Sequence, residues 1–190
     1  MHADSWALKA KKLGLRSRAV FKLEEILIKT KTLQKNSLVL DIGAAPGGWS
    51  KLIKTMAPSS SVFAIDLLPM DPIKDVIFFQ KDILNIDEIE EISILKSKFD
   101  LVISDLAPNL TGIKAVDEEN IFNLNVSTLR IALNYLRKSN GSFLIKTFQN
   151  SLLKKLRTEM EKSFHLVQTY KPAASKSKSA EIYLYGEKPL

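Results

Sequence analysis

The run Leu38-Val-Leu-Asp-Ile-Gly-Ala-Ala-Pro-Gly-Gly-Trp-Ser50 confines this chain to few folds, because an apolar stretch ending in an acid breaks at once into a loop of small residues. Leu38 to Asp41 suit a buried parallel strand, and the residues after Asp41 read as a tight turn and a helix start. Gly43, Gly47 and Gly48 permit backbone angles or close approaches that a Cβ would block, so a ligand can touch main chain there. In an open α/β sheet this is the place, outside the carboxyl end of the first strand, where cofactors bind. The order Gly-Ala-Ala-Pro-Gly-Gly is not the Gly-x-Gly-x-x-Gly that seats a pyrophosphate on a helix N-terminus, which argues against a nicotinamide dinucleotide. A second apolar strand, Ser61 to Ile65, runs into Asp66, 23 residues after Gly43. A carboxylate there is placed to take ribose hydroxyls. A nucleoside without a pyrophosphate fits both observations.

Two more strands repeat the pattern. Val76 to Phe79 ends before Asp82, and Phe99 to Ser104 ends at Asp105, so Asp66, Asp82 and Asp105 all stand at or just past carboxyl ends. Amphipathic helices are expected from Trp49 to about Ala57-Pro58, from Asp87 to Leu95, from about Asp117 to Arg137, and from Leu152 to Lys162. The strand Ser142 to Lys146 ends in a lysine at the cofactor edge, where a desolvated ammonium must be paired or lose its proton. Lys146 is the sharpest single signal in the chain. Strands over His165–Tyr170 and Ile182–Tyr185 close it, joined by a polar, basic loop through Lys176 and Lys178 that suits a phosphate backbone, with Glu181 just before the last strand.

The segment before Leu38 is different in character. Ala7 to Gly14 is a short basic arm or helix, and a clear helix begins at Ser17, a candidate N-cap, with Val20, Leu23 and Leu27 on one face. Arg18, Lys22, Glu25 and Lys29 fall on the opposite stripe, so periodicity alone makes Lys22 a solvated lysine. The net charge of +7 is uneven: nine Lys/Arg against three acids in residues 1–37, eleven against fourteen in 38–150, and eight against four in 151–190. Basic flanks around an acidic body point to a nucleic-acid partner, with Arg16, Arg18, Lys176 and Lys178 as candidate RNA contacts. The chain has no cysteine and only His2 and His165, so no metal is expected. No apolar run has the length of a membrane span and no signal-peptide core is present, so an intracellular protein, cytoplasmic or organellar, is expected. Length favours one domain over residues 1–190: a basic N-terminal arm and helix (1–37) and a catalytic core (38–190).

Alternating strands and helices predict an α/β Rossmann-like fold, a mostly parallel seven-stranded sheet with helices on both faces. The last two strands, joined by a loop too short for a crossover helix, should pair antiparallel. That pattern resembles the class I S-adenosylmethionine-dependent methyltransferases. Within them the chain resembles the FtsJ/RrmJ ribosomal RNA 2′-O-methyltransferases across nearly its whole length. The residues that carry the likeness are Ser17-Arg-Ala-Val-Phe-Lys-Leu23, Asp41 to Ser50, Asp66-Leu-Leu-Pro-Met-Asp-Pro72, Ser104 to Gly112, Gly141 to Gln149 and Ser179-Ala-Glu-Ile-Tyr183. The resemblance implies a catalytic Lys-Asp-Lys-Glu tetrad at Lys22, Asp105, Lys146 and Glu181. It puts the S-adenosylmethionine pocket on Gly43, Gly47, Gly48, Trp49, Asp66, Asp82 and Asp105. Lys22 thus becomes catalytic by resemblance alone.

The implied reaction is methyl transfer to a ribose 2′-hydroxyl, most similar to the branch that modifies a uridine of large-subunit ribosomal RNA, with S-adenosylhomocysteine as product. The hydroxyl must lose its proton as the bond forms, and Lys146 is the expected base, or else a charged stabiliser of the developing alkoxide. Asp105 and Glu181 would orient and balance the two lysines. A transfer RNA methyltransferase, a non-catalytic ribosome-assembly factor of the same fold and a small-molecule O-methyltransferase are the competing readings. A monomer is expected, because no segment shows an unaccounted apolar stripe.

Overall fold

The computed structural model describes residues 5–175 and 179–190. Its strands are β1 Leu38–Ile42, β2 Ser61–Asp66, β3 Val76–Gln80, β4 Leu101–Ser104, β5 Ser142–Phe148, β6 Phe164–Tyr170 and β7 Glu181–Pro189. The helices are α1 Ser5–Lys12, α2 Ala19–Thr30, α3 Gly48–Met56, α4 Glu90–Ser93, α5 Lys114–Tyr135 and α6 Leu153–Glu161, with a 3-10 segment Ile83–Glu88 before α4. The strands make one sheet in the order β3-β2-β1-β4-β5-β7-β6. All neighbours run parallel except β7, which is antiparallel to both β5 and β6. The chain order reverses between β1 and β4, the switch point outside whose strand ends open α/β sheets bind their ligands.

Strand alternation divides the core. Leu40, Ile42, Phe63, Ile65, Val102, Phe143, Ile145 and Leu184 face α5, α6 and the 3-10 segment. Val39, Val62, Leu101, Ile103, Leu144, Tyr183 and Tyr185 face α2 and α3. Period two then carries that second parity to the strand ends, so Asp66, Asp105, Lys146 and Glu181 all belong to the α2/α3 side of the sheet. Central strands β1 and β4 are buried almost throughout, Asp41 and Ser104 included, because both of their faces are covered.

Three local expectations change. The acidic helix expected over Asp87–Leu95 is instead the 3-10 segment followed by the four-residue α4. Ile83, Ile86, Ile89 and Ile92 are all buried, and their three-residue spacing suits a 3-10 repeat, with Ile89 extended between the two pieces. Helix α2 starts at Ala19, and Ser17 serves its entrance by accepting the Ala19 N–H at 3.1 Å. Helix α5 starts three residues before Asp117, whose carboxylate folds back to accept the N–H groups of Thr111 and Gly112. No helix among the described residues is long and apolar enough to cross a membrane.

Candidate active site

The crevice is built first from main chain. After β1, Gly43 adopts φ +77°, and the Ile65 carbonyl accepts the N–H groups of Gly43 and Ala44 at 2.8 and 3.2 Å, tying the loop to the neighbouring strand. A Cβ on Gly43 would stand 2.4 Å from the Leu106 side chain, so the loops after β1 and β4 close on each other only over a glycine. Gly47, at φ +92°, is turned the other way, against Met70, Ile73 and the Arg16 guanidinium. Gly48 lets the start of α3 approach Val20 of α2. Trp49 is buried in the α2/α3 core, donates its indole N–H to the Ala19 carbonyl at 3.0 Å and packs on Tyr183.

Asp66 closes β2. Its two oxygens accept the N–H groups of Ala45 and Leu68, each at 2.8 Å, so this carboxylate splints the β1 and β2 loops. Asp82 follows β3 and caps the 3-10 segment through the Leu84 N–H at 2.9 Å. Both acids line a cleft of about 570 Å³ whose other walls include Leu67, Leu68, Ile83, Leu106, Asn109 and Leu124. That size, with apolar walls and a few polar groups, is what a nucleoside-sized ligand needs. A smaller recess bounded by Gly43, Ala45, Pro46, Trp49 and Asp105 lies beside the glycine loop. Under the loop, Asp41 is buried and takes a 2.6 Å hydrogen bond from Ser50. Burial pushes its carboxyl up to about 7 against the Ser50 bond, with the negative charges of Asp105 and Asp66 adding to the rise.

The second part of the site is made of side chains. One step past the register pair Ser104↔Ile145, Lys146 Nζ stands 3.0 Å from Asp105 Oδ1 and also donates to the Asp105 carbonyl. Lys22, only 4% exposed, donates to Glu181 Oε1. The same oxygen accepts the Tyr183 hydroxyl at 3.1 Å. The four residues of the implied tetrad therefore meet as two lysine–carboxylate pairs on the α2 side of the sheet edge. Burial raises the Asp105 carboxyl, while the Lys146 charge and hydrogen bond lower it, Glu181 raises it and Lys22 lowers it; the net direction is upward. The Tyr183 phenol is held above its ordinary range by burial and then by the charges of Asp105 and Glu181, so it stays a donor.

Lys22 escapes the periodicity argument for a visible reason. Val20, Phe21, Lys22 and Leu23 are all buried, because the first turn of α2 has partners all round. The sheet covers one side, while Phe21 joins Ala10 and Ala174 in a cluster with Trp6 on the other. Glu25 accepts the Ala173 N–H at 2.8 Å and fixes the middle of the 171–175 stretch to α2. Of the candidate RNA contacts, Arg16 is half-buried with its guanidinium on main-chain carbonyls, Arg18 is the residue before α2, and Lys176 and Lys178 lie outside the described residues. Sequence reasoning passes over Tyr183, although its place two residues after Glu181 on one strand puts both side chains on one face.

Curated relatives agree over almost the full length. One from Ehrlichia chaffeensis, a ribosomal RNA large subunit methyltransferase E, is 40% identical over 186 residues, 96% of this chain and 87% of its own. A second of the same name from Methanothrix thermoacetophila is 39% identical over 188 residues, 98% of this chain and 73% of its own. A crystal structure from Plasmodium falciparum, provisionally described as a ribosomal RNA methyltransferase, superposes with a TM-score of 0.82 at 34% identity, covering 92% of this chain and 98% of its own. Residues 15–188 match the FtsJ-like methyltransferases, and with the glycine loop, the strand-end acids and the two lysine pairs in place, this chain belongs to that family.

Proposed function

We propose that this chain methylates a ribose 2′-hydroxyl of large-subunit ribosomal RNA, a uridine by the likeness of its motifs, using S-adenosylmethionine. The observation that carries the reading is the meeting of two partly buried lysine–carboxylate pairs, Lys146 with Asp105 and Lys22 with Glu181, beside a nucleoside-sized cleft. Asp66 and Asp82 line that cleft and would hold the ribose and base of the cofactor, with Gly43 and the loop after it against its amino-acid end. Bound there, S-adenosylmethionine supplies a methyl group on a positively charged sulfur.

The chain's own residues handle the proton. Lys146, two residues before the end of β5, takes the proton of the incoming hydroxyl as the neutral amine and becomes the ammonium, and Asp105 holds it in place through both its carboxylate and its carbonyl. Lys22 keeps a positive charge beside the same point, stabilising negative charge on the oxygen, and Glu181 with Tyr183 fixes its position. RNA suits this site because a 2′-hydroxyl is the group that marks it, and the basic segment 1–37 supplies charge for its backbone. We infer that residues 1–190 act as one catalytic domain and as a monomer, inside the cell where ribosomes are made.

The test is transfer of labelled methyl to large-subunit ribosomal RNA, free and in ribosomal particles, with transfer RNA alongside and Lys146→Ala as control. Ribose-linked label on ribosomal RNA that falls by about 10²–10⁴-fold in the variant is expected. Label on transfer RNA instead would overturn the substrate, and cofactor binding without transfer to any RNA would favour an assembly factor. A rate that does not rise with pH would make Lys146 a charged stabiliser and not a base.

A further inference from the structure

Arg16 stands on the link between α1 and α2, in a basic segment where composition reads it as a phosphate contact. Its guanidinium is committed elsewhere. Nη1 donates to the carbonyls of Pro46 at 2.8 Å and Asp71 at 2.9 Å, and Nη2 donates to the carbonyl of Pro72 at 3.2 Å. None of the described carboxylates forms an ion pair with it. Pro46 belongs to the glycine loop after β1, and Asp71 and Pro72 belong to the loop after β2. These two loops are already joined at their inner ends by the Ala45 N–H on Asp66. Arg16 joins them again at their outer ends, and the second join is possible because Gly47 has no side chain. A Cβ there would lie 2.6 Å from both Met70 and Ile73 and 3.0 Å from Nη1.

Resting on the assignment of the cleft to S-adenosylmethionine, we propose that Arg16 is a positioning residue for the cofactor: it clamps the two loops that frame the cleft and so couples the seat of the N-terminal segment to cofactor affinity. The loop it holds carries Leu67 and Leu68, which with Asp66 form one wall of the cleft. Three carbonyls in a fan match a planar fork of N–H donors, and a lysine ammonium, a compact point charge, cannot serve them together. This separates the clamp from a phosphate contact, since a lysine would satisfy phosphate nearly as well.

The experiment compares Arg16→Lys with the unaltered protein. Calorimetry with S-adenosylhomocysteine should show affinity weakened about tenfold or more, the loss of one or two hydrogen bonds to a charged group. Methyl transfer should show a matching rise in cofactor KM, with kcat at saturating cofactor within about twofold. RNA affinity of the cofactor-free protein and its salt dependence should stay the same, because the charge is kept. Unchanged cofactor affinity with weakened RNA binding would overturn the proposal, as would a fall in kcat and folded fraction with no change in cofactor KM. If the variant does not fold, the unaltered protein is labelled with an arginine-selective dicarbonyl and read by mass spectrometry. Protection of Arg16 by S-adenosylhomocysteine without RNA is then expected, and protection by RNA alone would overturn the clamp. Should the unaltered protein not bind S-adenosylhomocysteine, the cofactor reading fails; should both proteins bind it equally, the clamp alone fails.

Discussion

The two halves of the crevice are held together in opposite ways. On the β1–β2–β3 side the carboxylates are satisfied by nearby main chain: Asp66 by Ala45 and Leu68, Asp82 by Leu84. On the β4–β5–β7 side the charged groups pair chiefly with one another, and Lys22 and Glu181 are 159 residues apart in the chain. The β1–β2–β3 side is thus a set of shaped loops that leaves carboxylate lone pairs for a ligand. The β4–β5–β7 side is a cluster of lysines and carboxylates in which each member depends on a distant partner. Removing one member should be expensive there, while the β1–β2–β3 side should lose stability in smaller, local steps.

The largest effect should come from splitting the buried pair. Lys22→Met leaves Glu181 with an unpaired charge and should destabilise by about 3–5 kcal/mol in urea titration, whereas adding Glu181→Leu should recover most of that loss. If the single and double variants were equally unstable, packing and not charge would hold the site. Asp66→Ala should cost about 1–3 kcal/mol, because two N–H groups lose their acceptor, and should weaken S-adenosylhomocysteine binding in calorimetry. Asp41 sharpens the contrast through pH. Its carboxyl is raised to about 7 in the fold, so its contribution is fully present below the ordinary carboxylate range and is lost as pH rises through about 7. The melting temperature of Asp41→Asn relative to the unaltered protein should therefore climb between about pH 4 and pH 7 and level off above it. At the small end, Lys29→Ala removes an exposed pair with Glu25 on the same helix that carries Lys22, and the change should stay within about 0.5 kcal/mol.

Much of the fold is readable because its signals are local. The apolar runs, their spacing and the Pro and Gly breaks mark the seven strands, and the short final connection sets the antiparallel hairpin. Residues 87–95 read as one α-helix in sequence but fold as the end of a 3-10 segment followed by the four-residue α4, since a three-residue repeat and a 3.6-residue repeat look alike over so short a span. Strand-end acids are legible for the same local reason, since each stands beside its own strand, and Lys146 is legible as a charge out of place in an apolar run.

The chain by itself therefore determined the strand-turn-helix grammar, the glycine loop and the parity that brings Asp66, Asp105, Lys146 and Glu181 to one side of the sheet edge. Only the tertiary structure decided that Lys22 is buried, since burial of the first turn of α2 depends on α1, the 171–175 stretch and β7 arriving from distant parts of the chain. It also decided that Arg16 faces carbonyls: a guanidinium's partner depends on what the fold places within its reach, which periodicity along one helix does not encode.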